Sequence, residues 1–168
     1  MCNRRKQAVL GLTLLVVSGC GSTAAQKGHI VRGTGFTFVA PAEWVVSRKG
    51  TEVQAAQGTQ LISVTRFPLL RRFEPALWDE VVPELDRAAT AVARQQRGTV
   101  SDPRTITVAG QNARRYDVAY TGEGKQLVER IAFVLRGKME YLLLCRYERG
   151  GSTEACDDLL TSFRLAAA

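Results

Sequence analysis

The sequence predicts an α+β domain over residues 33–165, an antiparallel β-sheet sandwiched by helices. Three observations predict it. Strand-like alternation opens the region, one long amphipathic stretch interrupts it, and apolar β-rich segments precede a short amphipathic close. A chain of 168 residues with 45% hydrophobic and 23% charged side chains has the size and balance of one globular domain.

The elements follow in order. Gly35-Phe36-Thr37-Phe38-Val39 alternates apolar and polar side chains, and Pro41-Ala42-Glu43 turns the chain into Trp44-Val45-Val46. A strand at 51–56 leads through a turn at Gly58 to a β-branched strand at 61–67, which Pro68 is expected to stop. The period then changes. Pro75 suits a first helical position, and Glu74, Asp79 and Glu80 suit the positive end of the helix dipole. Leu77, Val81, Leu85, Ala88 and Val92 form one apolar face, and Gly98 closes the helix. Pro83 removes a backbone donor inside it, so a kink or a split is expected there.

Residues 105–109 and 113–120 flank Gly110-Gln111-Asn112 as a hairpin, and Thr121-Gly122-Glu123-Gly124-Lys125 reads as a loop. Residues 127–135 and 139–147 read as a further hairpin around Arg136-Gly137-Lys138. Ile131, Phe133 and Leu135 alternate with Ala132 and Val134, so both faces are apolar and the strand belongs at the covered centre of a sheet. Ser152 or Thr153 caps a last helix, with Ala155, Cys156, Leu159, Leu160 and Phe163 as its buried stripe.

Ahead of the domain, Asn3-Arg4-Arg5-Lys6 precedes an apolar run at 8–17. Ten helical residues reach only about 15 Å, half of a hydrocarbon core of roughly 30 Å, so this is a secretion signal and not a spanning helix. Val17-Ser18-Gly19-Cys20 resembles the lipobox of bacterial lipoproteins. That resemblance implies a signal peptide at 1–19, cleavage before Cys20 and acylation of its thiol, diacylglycerol and palmitate included. Two acyl chains anchor a protein stably where one does not. Residues 20–32 are then the lipidated Cys and a flexible spacer, small and polar through Gly21-Ser22-Thr23-Ala24-Ala25-Gln26-Lys27-Gly28. The expected location is the extracytoplasmic face of a cell membrane, with the membrane as the first partner.

The formal charge is +7, and loss of Arg4, Arg5 and Lys6 leaves 20 basic against 16 acidic side chains. No basic run is interleaved with aromatics, which speaks against nucleic acid as a partner. With Cys2 in the signal and Cys20 acylated, Cys145 and Cys156 remain in an oxidising compartment and are expected to pair as a disulfide. The chain's single His, His29, sits at the spacer's edge. An HExxH zinc site is therefore impossible, and neither metal nor cofactor is expected. Gly33-Thr34-Gly35 and Gly122-Glu123-Gly124 are bare GxG pairs without a following helix and read as turns. Asp79/Glu80 and Asp157/Asp158 lie early in helices, where acids favour the dipole. Arg71-Arg72 and Arg114-Arg115 are short basic doublets, and Trp44 and Trp78 fall on apolar faces. No catalytic residue is singled out.

Phe36-x-Phe38 with Pro41-x-x-Trp44, the long helix, the antiparallel strands and the final Leu159-Leu160-x-Ser162-Phe163 resemble the PsbP/Mog1-like superfamily, in its actinobacterial lipoprotein form. The resemblance implies an α/β/α sandwich and a binding or assembly role with a protein partner. It transfers no functional residues. The expected function is a membrane-anchored, non-catalytic binding or assembly module. The alternatives are a carrier of a small apolar or lipid-like ligand and, less favoured, a hydrolase.

Overall fold

The computed structural model describes residues 28–101 and 103–166. The signal peptide, Cys20 and most of the spacer lie outside the described residues. Two antiparallel sheets and two helices make the fold α+β. The order is β1 (Gly28–Gly33), β2 (Phe36–Pro41), β3 (Val45–Lys49), β4 (Glu52–Gln57) and β5 (Gln60–Phe73). A 3-10 turn at Pro75–Leu77 then leads into α1 (Trp78–Gln95). β6 (Thr99–Val100), β7 (Arg104–Val108), β8 (Gln111–Gly122), β9 (Lys125–Glu148), α2 (Glu154–Ser162) and β10 (Arg164–Leu165) complete it. The domain starts earlier than the sequence reading placed it. Residues 28–32 belong to β1 and pair with β2, because Val31 fills the core opposite Phe38.

The large sheet runs β3-β4-β5-β9-β8-β6, with β7 also on β8, and the small sheet runs β1-β2-β10. α1 lies on one face of the large sheet against β6 and β8. Its seam is Leu85, Ala89 and Ala93 over Tyr116, Val118, Ile131, Phe133 and Leu135. The small alanines bring the helix close to the strands, so the seam centres on Ala89 and Ala93, with the expected Val81 and Ala88 packed beside it. The other face carries α2 and the small sheet around Phe36, Phe38, Trp44, Tyr141, Leu159 and Phe163. The covering layers are thus one helix on one side and a helix plus a second sheet on the other.

Five further readings change. β9 is one 24-residue strand and not a hairpin. Its first half pairs with β8 and its second with β5, and Gly137 (φ 58°) takes up the break between the two registers. Pro68 does not end β5, because it still pairs with Met139 before the register shifts toward Phe73. The hairpin turn is Ala109-Gly110, with Gln111 and Asn112 already in β8, and the presumed loop at 121–125 is a two-residue turn at Glu123-Gly124. Both turns place both central residues at positive φ, as type I′ hairpin turns do. Finally, α1 continues through Pro83, which lies exposed in its second turn, where water can satisfy the carbonyl left without a donor.

α2 matches its expected stripe, with Cys156, Leu159 and Phe163 buried. The Ser152 hydroxyl accepts the Glu154 N–H at 3.2 Å. The Cys145–Cys156 disulfide, with Cα atoms 5.3 Å apart, ties α2 to β9.

Candidate functional site

Some charged side chains are tied to one another inside the fold, and a separate set of arginines lines a groove. Three clusters are tied. In the first, Asp86 of α1 accepts from Tyr116 Oη at 2.6 Å and Arg114 Nε at 3.1 Å. Burial pushes the Asp86 carboxyl up, but the hydrogen bonds from Arg114 and Tyr116 outweigh it and hold the carboxyl below its ordinary value. Burial, followed by the bond to Asp86, raises the Tyr116 hydroxyl far above its usual range. In the second, Asp117 accepts from Arg130 Nε at 2.9 Å, and Arg130 reaches Asp157 of α2 at 3.2 Å. In the third, buried Glu129 accepts from Gln96 at 2.5 Å and Tyr120 at 2.9 Å, with Arg146 at 4.0 Å. Burial and this bond raise the Tyr120 hydroxyl. Each carboxylate here is an acceptor held by cationic or neutral donors, an arrangement that locks α1 and α2 to the sheet.

The side chains considered from the sequence are scattered. His29 pairs across β1–β2 with Ala40, and Asp79 and Glu80 are exposed in the first turn of α1. Asp157 is engaged by Arg130, whereas Asp158 is exposed. Arg71 and Arg72 are exposed on β5, and Arg114 and Arg115 point to opposite faces of β8. Trp44 is core, and Trp78 packs edge-on against Phe73 at 6.5 Å. Gly33-Thr34-Gly35 is the β1–β2 turn, with Gly35 at φ 82°.

That turn forms one wall of the feature the sequence did not disclose. A notch of about 170 Å³ is lined by Arg32, Arg48 and Arg66 with Thr34, Thr51 and Phe36. Arg32 and Phe36 also line a second hollow of about 260 Å³, which adds Arg164 and Leu165. Those two residues also line a third hollow of about 620 Å³, together with Arg136 and the apolar Ile106 and Leu160. Shared walls make the three hollows one groove. Among the described residues, five arginines line it and no carboxylate does.

Strand geometry places these arginines. Arg66 extends the inward row of Ile62 and Val64, and Arg48 the row of Val46, so both emerge where the two sheets part. Arg48 donates to the Arg32 carbonyl and Arg66 to the Thr34 carbonyl, each at 3.3 Å. Arg136 donates to the Ala166 carbonyl at 3.2 Å, and Arg164 to those of Thr161 and Phe163. Carbonyl acceptors orient a guanidinium without neutralising it, and each guanidinium keeps N–H donors beyond those it already uses. At the opposite end of β2, a hollow of about 230 Å³ beside Pro41 is lined by Glu43, Glu154 and Asp158 instead. Charge is therefore segregated along the small sheet.

No protein-family model matches the chain, and no curated protein does. Among solved structures, a protein from Bacteroides thetaiotaomicron superposes with a TM-score of 0.60 at 12% identity over 84% of this chain. The chain spans about half of that structure, 48% of its length, and the likeness shows the fold alone. LpqN of Mycobacterium tuberculosis, described as involved in cell envelope biogenesis, gives 0.44 at 9% identity, covering 83% of this chain and 86% of LpqN. A Pseudomonas aeruginosa protein of unknown function gives 0.41 at 15% identity, covering 73% and 84% respectively. Neither of these two likenesses is close enough to carry an argument.

Proposed function

We propose that the chain is a membrane-anchored extracytoplasmic lipoprotein whose domain is a non-catalytic binding or assembly module of the PsbP/Mog1-like kind, and that the arginine-lined groove is its binding face. The groove carries this reading. Among the described residues, five cationic side chains line one channel without a carboxylate, while Asp86, Asp117 and Glu129 are engaged in internal contacts. The anchor rests on Val17-Ser18-Gly19-Cys20 and the apolar run before it. A carrier of a small apolar or lipid-like ligand is the second reading, favoured by the apolar Ile106, Leu160 and Leu165 in the widest hollow. Such a ligand would lie on the surface, since the Phe36, Tyr141 and Phe163 rings pack about one another at 5.8–6.0 Å between the sheets.

The test uses the full chain in its native membrane. A photo-crosslinking side chain replaces Thr34 in the groove or, as control, Asp79 on the exposed side of α1. The expected result is a defined adduct from Thr34 alone. Equal or absent adducts at both positions would overturn the assignment of the groove. Mass spectrometry of the mature chain checks the anchor: an unmodified thiol at Cys20, or an N-terminus other than Cys20, would overturn it.

A further inference from the structure

We infer that the notch formed by Arg32, Arg48 and Arg66 is a phosphate site, and that the ligand of the groove carries a phosphate group there; this rests on the groove being the binding face. Arg32, Arg48 and Arg66, from the three strands β1, β3 and β5, line one hollow of about 170 Å³. Cationic side chains around a hollow from three strands suit a tetrahedral oxyanion, whose oxygens accept along several axes, better than a planar carboxylate. Arg48 and Arg66 are already aimed by their bonds to the Arg32 and Thr34 carbonyls, so little side-chain freedom is lost on binding. Thr34 and Thr51 add hydroxyl donors at the wall. Beyond it the groove continues past Arg164 to the apolar Ile106 and Leu160. The phosphate can therefore belong to a soluble phosphate ester or to a lipid headgroup, and the two sources differ in whether those apolar side chains contribute.

Arg32→Gln is the primary variant, because the Arg32 side chain makes no hydrogen bond among the described residues and its loss leaves the hairpin intact. Arg94→Gln, on the exposed side of α1, removes the same charge elsewhere. The folded protein is titrated with inorganic phosphate and, separately, with dihexanoyl phosphatidylglycerol below its micelle concentration, and backbone amide shifts are followed. The expected result is saturable shifts at Gly33, Thr34 and Gly35, weakened about tenfold in Arg32→Gln and within twofold of the parent in Arg94→Gln. Tighter binding of the short-chain lipid than of phosphate identifies a headgroup, and equal binding identifies a soluble phosphate; both support the site. No shift at these amides with either probe, or equal weakening in the two variants, would overturn it. A Thr34 adduct that persists without phosphate binding would sink the phosphate assignment and leave the binding face standing. Loss of both would sink the two together.

Discussion

Asp86 and Glu140 show how one residue type acquires opposite pH behaviour from its surroundings. Asp86, with Arg114 and Tyr116 donating to it, has its folded pKa lowered. Its contribution is complete above the unfolded carboxylate value and is lost as pH falls through the folded one. Asp86→Asn should lower stability at neutral pH by about 1 kcal/mol, a figure reduced for its partial exposure. In urea unfolding at pH 7 and pH 3 the gap to the parent should close at the lower pH; a gap that stays constant would exclude the ionic account. Glu140, opposite Phe67 in the β5–β9 register, is raised by burial alone. Its ionised form is the disfavoured one in the fold, so stability is lost as pH rises through the raised value. Glu140→Gln should therefore be more stable than the parent at neutral pH by under about 1 kcal/mol, and equal to it in acid. A destabilised Gln variant at neutral pH would point to a partner of the carboxylate outside the described residues.

At the scale of elements, helix and strand ends are governed by backbone geometry more than by residue preference. α1 ends in a Schellman arrangement: Arg97 N–H reaches the Arg94 carbonyl at 3.0 Å and Gly98 N–H that of Ala93 at 2.8 Å. The left-handed residue is Arg97, at φ 54°, not the glycine expected there. Gly98 serves close packing instead, since a Cβ would sit 2.6 Å from the Ala119 carbonyl oxygen of β8. Arg97→Gly should stabilise by up to about 1 kcal/mol through relief of positive φ. Gly98→Ala should destabilise by about 1–3 kcal/mol through the clash. Chemical denaturation of both variants checks the pair, and a reversed order would refute the geometry. β9 obeys the same logic. Arg136-Gly137-Lys138 has turn composition, yet Gly137 uses its left-handed freedom to change register within one strand.

For the molecule as a whole, connections between layers matter most. The disulfide ties α2 to β9, and Arg130 reinforces this by joining Asp117 to Asp157. Its cysteines are 11 residues apart, and closing a loop of that size contributes about 3 kcal/mol in the chain-entropy model. Reduction should lower the urea midpoint accordingly, whereas identical midpoints for oxidised and reduced protein would show that α2 docks without the staple. The same docking holds β10 beside β2 and brings Arg164 to the groove.

Local pattern was enough to read the α+β class, the stripe of α2, the covered strand around Ile131 and Phe133, and the pairing of the two domain cysteines, because alternation, helical period and cysteine number are properties of short segments. It was not enough for the second sheet, the continuity of β9, or the strand at residues 28–32, whose short run directly follows the small, polar residues 21–28 and shows its strand character only once Val31 has a core to enter. The groove was least legible of all. Arg32, Arg48, Arg66, Arg136 and Arg164 stand singly in the chain, and nothing in their spacing separates them from solvated surface arginines. They share one channel only because two sheets part at the β1–β2 turn and α2 returns the chain beside it. Segment periodicity determined which residues are buried; long-range strand pairing alone decided which charges became neighbours.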